Sequence, residues 1–142
     1  MKRVVICVVA AILILTLNVN LIFSEKPQST ELGLVQMRKL TIDGGQPIVF
    51  VGKLTNDMGD PVTNATIFIK NNQDCPNDQI VGTGITDKRG SFTIYAISKI
   101  WNEKTNLVKF HAEFNGTVKH LASVSNDVIY MIFPSHAQKC AN

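Results

Sequence analysis

Val108-Lys109-Phe110-His111-Ala112-Glu113-Phe114 decides the fold class. Apolar Val108, Phe110, Ala112 and Phe114 alternate with Lys109, His111 and Glu113. Successive side chains on a strand point to opposite faces, so this segment buries one face of an antiparallel sheet and wets the other. A helix would scatter the same apolar residues around its circumference. Asn115-Gly116 follows at once. Asn and Gly tolerate positive φ, which makes the pair the strongest short hairpin signal in the chain.

The same period recurs on either side. Ala65, Ile67 and Ile69 alternate with Thr66, Phe68 and Lys70, and Phe92, Ile94 and Ala96 with Thr93, Tyr95 and Ile97. Further strands are expected over residues 35–42, 48–55, 80–86, 119–124 and 128–133. Turn residues part them at Asp43-Gly44-Gly45, Met58-Gly59-Asp60-Pro61 and Asp87-Lys88-Arg89-Gly90. No stretch after residue 33 keeps an apolar period of 3.6 for three turns. About seven short strands separated in this way predict an all-β sandwich. The longer connection around Trp101 is expected to lay its indole over an open end of the core.

The chain has 142 residues, enough for one domain. Lys and Arg number 14 and Asp and Glu 11, a formal net charge of +3 to which Lys2 and Arg3 contribute. The body is therefore nearly neutral and lacks the basic stripe of a nucleic-acid binder. No Gly-rich phosphate loop, H-E-x-x-H or C-x-x-C is present, and no Ser-His-Asp order is readable among three His. A non-catalytic protein without a cofactor is expected.

Met1-Lys2-Arg3 precedes an uncharged apolar run from Val4 to Leu17, the pattern of a secretory signal peptide. The apolar stretch extends to Phe23 apart from Asn18 and Asn20, long enough for an uncleaved helical anchor across ~30 Å of hydrocarbon. Both readings export the remainder. The expected organisation is a hydrophobic N-terminal helix over 1–24, a polar linker over 25–33, a sandwich over 34–133 and a tail over 134–142.

Gly52-Lys53-Leu54-Thr55-Asn56-Asp57-Met58-Gly59-Asp60-Pro61-Val62-Thr63-Asn64-Ala65-Thr66-Ile67 resembles the opening of Ig-like domains of the carboxypeptidase-regulatory-like, prealbumin-type family. Thr86-Asp87-Lys88-Arg89-Gly90-Ser91-Phe92 is similar to the second signature of that family, T-D-x-x-G-x-F. The resemblance implies an Ig-like Greek-key sandwich of a secreted archaeal or bacterial surface protein. It implies no catalytic residue, since such domains serve as spacers, adhesive modules and accessory domains.

Cys75 and Cys140 are the cysteines outside the export segment, and an even pair in an exported chain favours a disulfide. A loop of that length gives ~4 kcal/mol in the chain-entropy treatment. Free thiols or an intermolecular bridge are the alternatives. Asn64-Ala65-Thr66 and Asn115-Gly116-Thr117 fit the N-glycosylation pattern. Asp74, Asn77 and Asp78 supply oxygen ligands without the spacing of a calcium loop and read as turn residues. A two-residue turn at Asn115-Gly116 would set His111 opposite His120 on the outer face, with Glu113 beside them. That trio is either a zinc or copper site or a solvated cross-strand pair. The segment 25–33 is the nearest candidate to lie along a free sheet edge.

The expected function is that of an exported cell-surface or envelope module for adhesion, binding or structure. Its partner would be a surface protein or glycan, and the membrane itself where the N-terminal segment is retained. The alternatives are a filament subunit assembled through the apolar helix and a small metal-binding accessory protein.

Overall fold

Alternation becomes strand wherever the apolar set finds a facing sheet. A computed structural model describes residues 26–37, 41–43, 46–71, 80–97 and 107–133. The N-terminal apolar run, Cys75, Cys140, the Asp74/Asn77/Asp78 group, Trp101 and the tail 134–142 lie outside the described residues. Nine strands are described, and no helix is found among these residues: β1 Thr30–Val35, β2 Thr41–Asp43, β3 Pro47–Asn56, β4 Thr66–Asn71, β5 Ile80–Ile85, β6 Ser91–Ile97, β7 Leu107–Phe114, β8 Ser123–Val124 and β9 Val128–Phe133.

They form two sheets. The smaller has the order β1-β3-β6 and the larger β2-β9-β7-β4-β5, with β8 also paired to β7. Every pairing is antiparallel except that of β2 with β9. The inward residues expected from the sequence are buried: Ile67 and Ile69 on β4, Phe92, Ile94 and Ala96 on β6, and Val108, Phe110, Ala112 and Phe114 on β7. Between the sheets, Phe50 of β3 meets Phe110 of β7 and Tyr130 of β9, with ring centroids 5.1 and 6.0 Å apart. Phe110 and Tyr130 meet edge to face at 6.0 Å. Such tilted aromatic contacts add to the area buried, because ring edges are electropositive and faces electronegative.

The two sides of the pair of sheets are closed differently. On one side β1 is strapped to the returning chain after β7. Gln28 N–H donates to Lys119 O (2.9 Å), and Leu121 N–H donates to Gln28 O (2.8 Å). Thr30 Oγ1 meets Ser123 Oγ at 2.7 Å. The Asn126 amide imitates a strand partner: its Oδ1 accepts from Leu34 N–H (3.0 Å) and its Nδ2 donates to Leu34 O (3.1 Å). Gln36 does the same for Ile129, at 2.9 and 3.2 Å. On the other side β5 closes over β6 by leaving out side chains. A Cβ on Gly84 would sit 2.6 Å from Ile94 Cγ1, and one on Gly82 2.7 Å from Ile94 Cγ2.

The two signatures behind the family resemblance form one interlocked end of the fold. Asn56 Oδ1 accepts from Met58 N–H (3.0 Å) and Asp60 N–H (2.8 Å), shaping the turn after β3. Asp87 Oδ1 accepts likewise from Arg89 N–H (2.8 Å) and Ser91 N–H (2.9 Å). Leu54 N–H donates to Gly90 O (2.8 Å), so the second turn docks on β3. Gly90 has φ +73°, and a Cβ there would meet Leu54 O at 2.4 Å, which accounts for glycine at that place. Thr86 is the pin: its buried hydroxyl donates to Val62 O (2.7 Å) and accepts from Ala65 N–H (2.9 Å).

Four expectations are corrected. The polar segment 25–33 is not a linker throughout: Thr30–Val35 is a strand, because Leu32 and Leu34 both reach the core while Glu31 faces water. It lies along the edge of β3, as the edge expectation had it. Residues 35–42 are not one strand, since Val35 ends β1 in the smaller sheet and Thr41–Asp43 joins the larger. Residues 119–124 contribute only Ser123–Val124. Asn115-Gly116 is not a two-residue hairpin: Phe114 pairs with Ser123, Gly116 alone has positive φ (+82°), and the intervening chain turns on itself.

Candidate functional site

Lys70 of β4 lies opposite His111 of β7, and Glu113 follows two residues along on the same outward face. Lys70 Nζ is 2.7 Å from Glu113 Oε2, and His111 Nε2 is 3.0 Å from Glu113 Oε1. The Lys70 hydrogen bond, aided by His111, holds the Glu113 carboxyl below its ordinary range against the opposing effect of partial burial. An ionised carboxylate only accepts, so His111 donates from Nε2–H. Its Nδ1 is buried without a hydrogen-bond partner among the described residues, in a residue only 7% exposed. Both carboxylate oxygens of Glu113 are thus engaged, and the trio reads as a polar staple between neighbouring strands.

The cross-strand pairing of His111 with His120, on which the metal reading rests, does not form. His111 and Glu113 share a face as the alternation required, but His120 lies in the loop after β7 and not opposite His111. That loop turns from Thr117 to His120, with Thr117 N–H donating to His120 O (2.8 Å) and Thr117 Oγ1 accepting from His120 N–H (3.1 Å). The register shift follows from the longer loop. No group of three or more His, Cys, Asp or Glu side chains among the described residues is placed to hold a metal.

His120 instead lines a cavity of about 230 Å³ with Lys26, Gln28 and Lys119. Gln28 is held to the loop after β7 by its backbone bonds to Lys119 and Leu121. Among the described residues, three of the four that line it are basic in type, and none is a carboxylate. Sequence reasoning missed it because Lys26 and Lys119 are remote in the chain and meet only through the bridge of Gln28 with His120. A second cavity of about 310 Å³ opens between β2 and the start of β3, with Tyr130 in its wall. Burial pushes the Tyr130 phenol up, and a backbone hydrogen bond from Met37 partly offsets this.

Asn64 and Asn115 are both exposed, Asn64 with φ 55° in the connection before β4 and Asn115 just past β7. Asn64 N–H donates to Thr86 O (3.0 Å), which leaves its side chain toward solvent. No protein-family model matches the chain, and no curated protein matches it.

Proposed function

We propose that the chain is a non-catalytic, exported cell-surface or envelope module: an Ig-like Greek-key sandwich of the carboxypeptidase-regulatory-like kind that binds acidic surface polymers. The cavity lined by Lys26, Gln28, Lys119 and His120 carries this reading. Two ammonium groups and an imidazole around one concavity attract carboxylate or sulfate groups and give charge-assisted hydrogen bonds. The apolar N-terminal run, read as an export signal or anchor, supports a setting in which acidic glycans occur. A Cys75–Cys140 disulfide and glycans at Asn64 and Asn115 belong to the same reading, and all suit an oxidising, extracellular setting.

Calorimetric titration of the purified chain with a sulfated or uronic-acid oligosaccharide tests the proposal, with neutral dextran as control. Binding to the acidic sugar alone is expected. It should weaken with salt and fall at least about tenfold in Lys26→Ala/Lys119→Ala. No binding, or equal binding by the double variant, refutes it.

A further inference from the structure

Among the described residues β5 pairs only with β4, and its sequence lacks the charges and proline that commonly protect an edge. Ile80-Val81-Gly82-Thr83-Gly84-Ile85 contains no charge and no proline. Natural sheets blunt open edges with lysine, proline, bulges or covering segments, since unpaired N–H and C=O groups recruit further strands. The register irregularity between β4 and β5 falls at the start of β5, so Gly82 to Ile85 run in regular register with Ile69 to Thr66. Ile80 is 50% and Ile85 64% exposed.

The direction of the free groups can be read from the next residue. Thr86 N–H donates to Ala65 O (3.0 Å), and Thr86 O accepts from Asn64 N–H (3.0 Å), so the Thr86 peptide groups face the β4 side. Backbone groups alternate along an antiparallel strand. Gly84 and Gly82 therefore bond toward β4, while Thr83 and Ile85 aim their N–H and C=O groups at the open edge.

We infer that β5 pairs antiparallel with β5 of a second copy about a two-fold axis at Thr83, joining two large sheets into one. This register sets Gly82 opposite Gly84 and Val81 opposite Ile85. No like charges oppose one another, and both Thr83 backbones exchange hydrogen bonds. On the inward side Gly82 and Gly84 present only hydrogens, beneath which Ile94 already fills the space, and Val81 packs against the core. A second copy is favoured over a charged partner strand because the edge carries nothing for charge to recognise. The two-fold axis makes the contact isologous, so it closes as a dimer.

Sedimentation of the full purified chain over a concentration series, combined with amide hydrogen exchange, tests the inference. In the native chain a dimer should grow with concentration, and protection of the Thr83 and Ile85 amides should grow with it. Thr83→Lys places like charges directly opposite at the axis and should weaken association by about tenfold or more. Thr83→Pro removes the outward N–H alone and should do the same while circular dichroism remains native. A chain that stays monomeric at hundreds of micromolar overturns the inference. A dimer unaffected by both variants, or amides protected only when other envelope proteins are present, overturns it equally.

Discussion

Thr86→Val tests whether the two signature loops are held together by one hydroxyl. The side chain is buried, and so are Val62 and Ala65 at either end of its hydrogen bonds. Valine keeps the shape and removes both bonds. Val62 C=O and Ala65 N–H are then left without a partner in a dry site. Each buried unsatisfied group costs about 1–3 kcal/mol, and the two together about 2–4 kcal/mol after local relaxation. A domain of this size stands only about 5–15 kcal/mol above its unfolded state. The melting temperature should fall by about 10–25 °C, at ~4–8 °C per kcal/mol. Thr86→Ser keeps the hydroxyl and removes one methyl, so it should cost about 1 kcal/mol.

Urea and thermal unfolding followed by circular dichroism measure both variants, with coincident transitions as the two-state check. A Val variant within about 0.5 kcal/mol of the parent would refute the pin, since a loss that small means water or another group satisfies both orphans. A Ser variant as unstable as Val would shift the cause from hydrogen bonding to packing.

Gly84→Ala should destabilise by about 1–3 kcal/mol through its contact with Ile94 Cγ1, and pairing it with Ile94→Ala should give a double variant better than additive; strict additivity under urea refutes the contact. Asn126→Ala should cost about 1–2 kcal/mol and speed exchange of the Leu34 amide, because both bonds to β1 are lost; an unchanged Leu34 amide refutes the strap. The Asp87 carboxyl is held low by the Ser91 and Arg89 amides, and that of Glu113 by Lys70. A depressed folded pKa contributes stability above the ordinary carboxylate range, lost as pH falls through the folded value. The melting temperature should therefore hold from pH 7 to about 5 and drop below about 4, less so in Asp87→Asn/Glu113→Gln; a rise on acidification refutes the assignment.

Seven of the nine strands were legible as period-two alternation or apolar runs, although only the end of β8 formed. β1 escapes the sequence reading because only Leu32 and Leu34 alternate in it, beside the polar run of residues 25–31. Its polar neighbours are satisfied by the strap, which composition does not display. Residues after Gly116 misled for the opposite reason. Of the expected strand 119–124 only the end forms, and Val118 just before it is 89% exposed, because the chain there turns over Gln28 and finds no sheet face. For the candidate site, parity alone placed His111 and Glu113 on one face. The position of His120 depended on loop length, which alternation cannot fix.

The signature residues are occupied by the fold itself. Thr86, Asp87, Gly90 and Asn56 spend their hydrogen-bonding capacity or backbone freedom on the end where the two signatures dock. Phe92 lies over Gly52, where any Cβ would strike both its ring and Gly33 O at 2.3 Å. Residues so committed can carry a resemblance of architecture without carrying an activity. The basic cavity is built instead from the chain before β1 and the loop after β7. Gln28 and Ser29 also touch the first turn, where Asn56 Nδ2–H donates to Gln28 Oε1 (3.4 Å) and Asp57 N–H donates to Ser29 O (3.1 Å), but those bonds do not involve Lys26 or Lys119. Substitutions at Lys26 and Lys119 can therefore change recognition at little cost to folding, whereas changes at Thr86 act on the fold first. On this division, loss of binding in the lysine variants with unchanged melting temperature locates recognition in the cavity, and a parallel loss of both would place it in the scaffold.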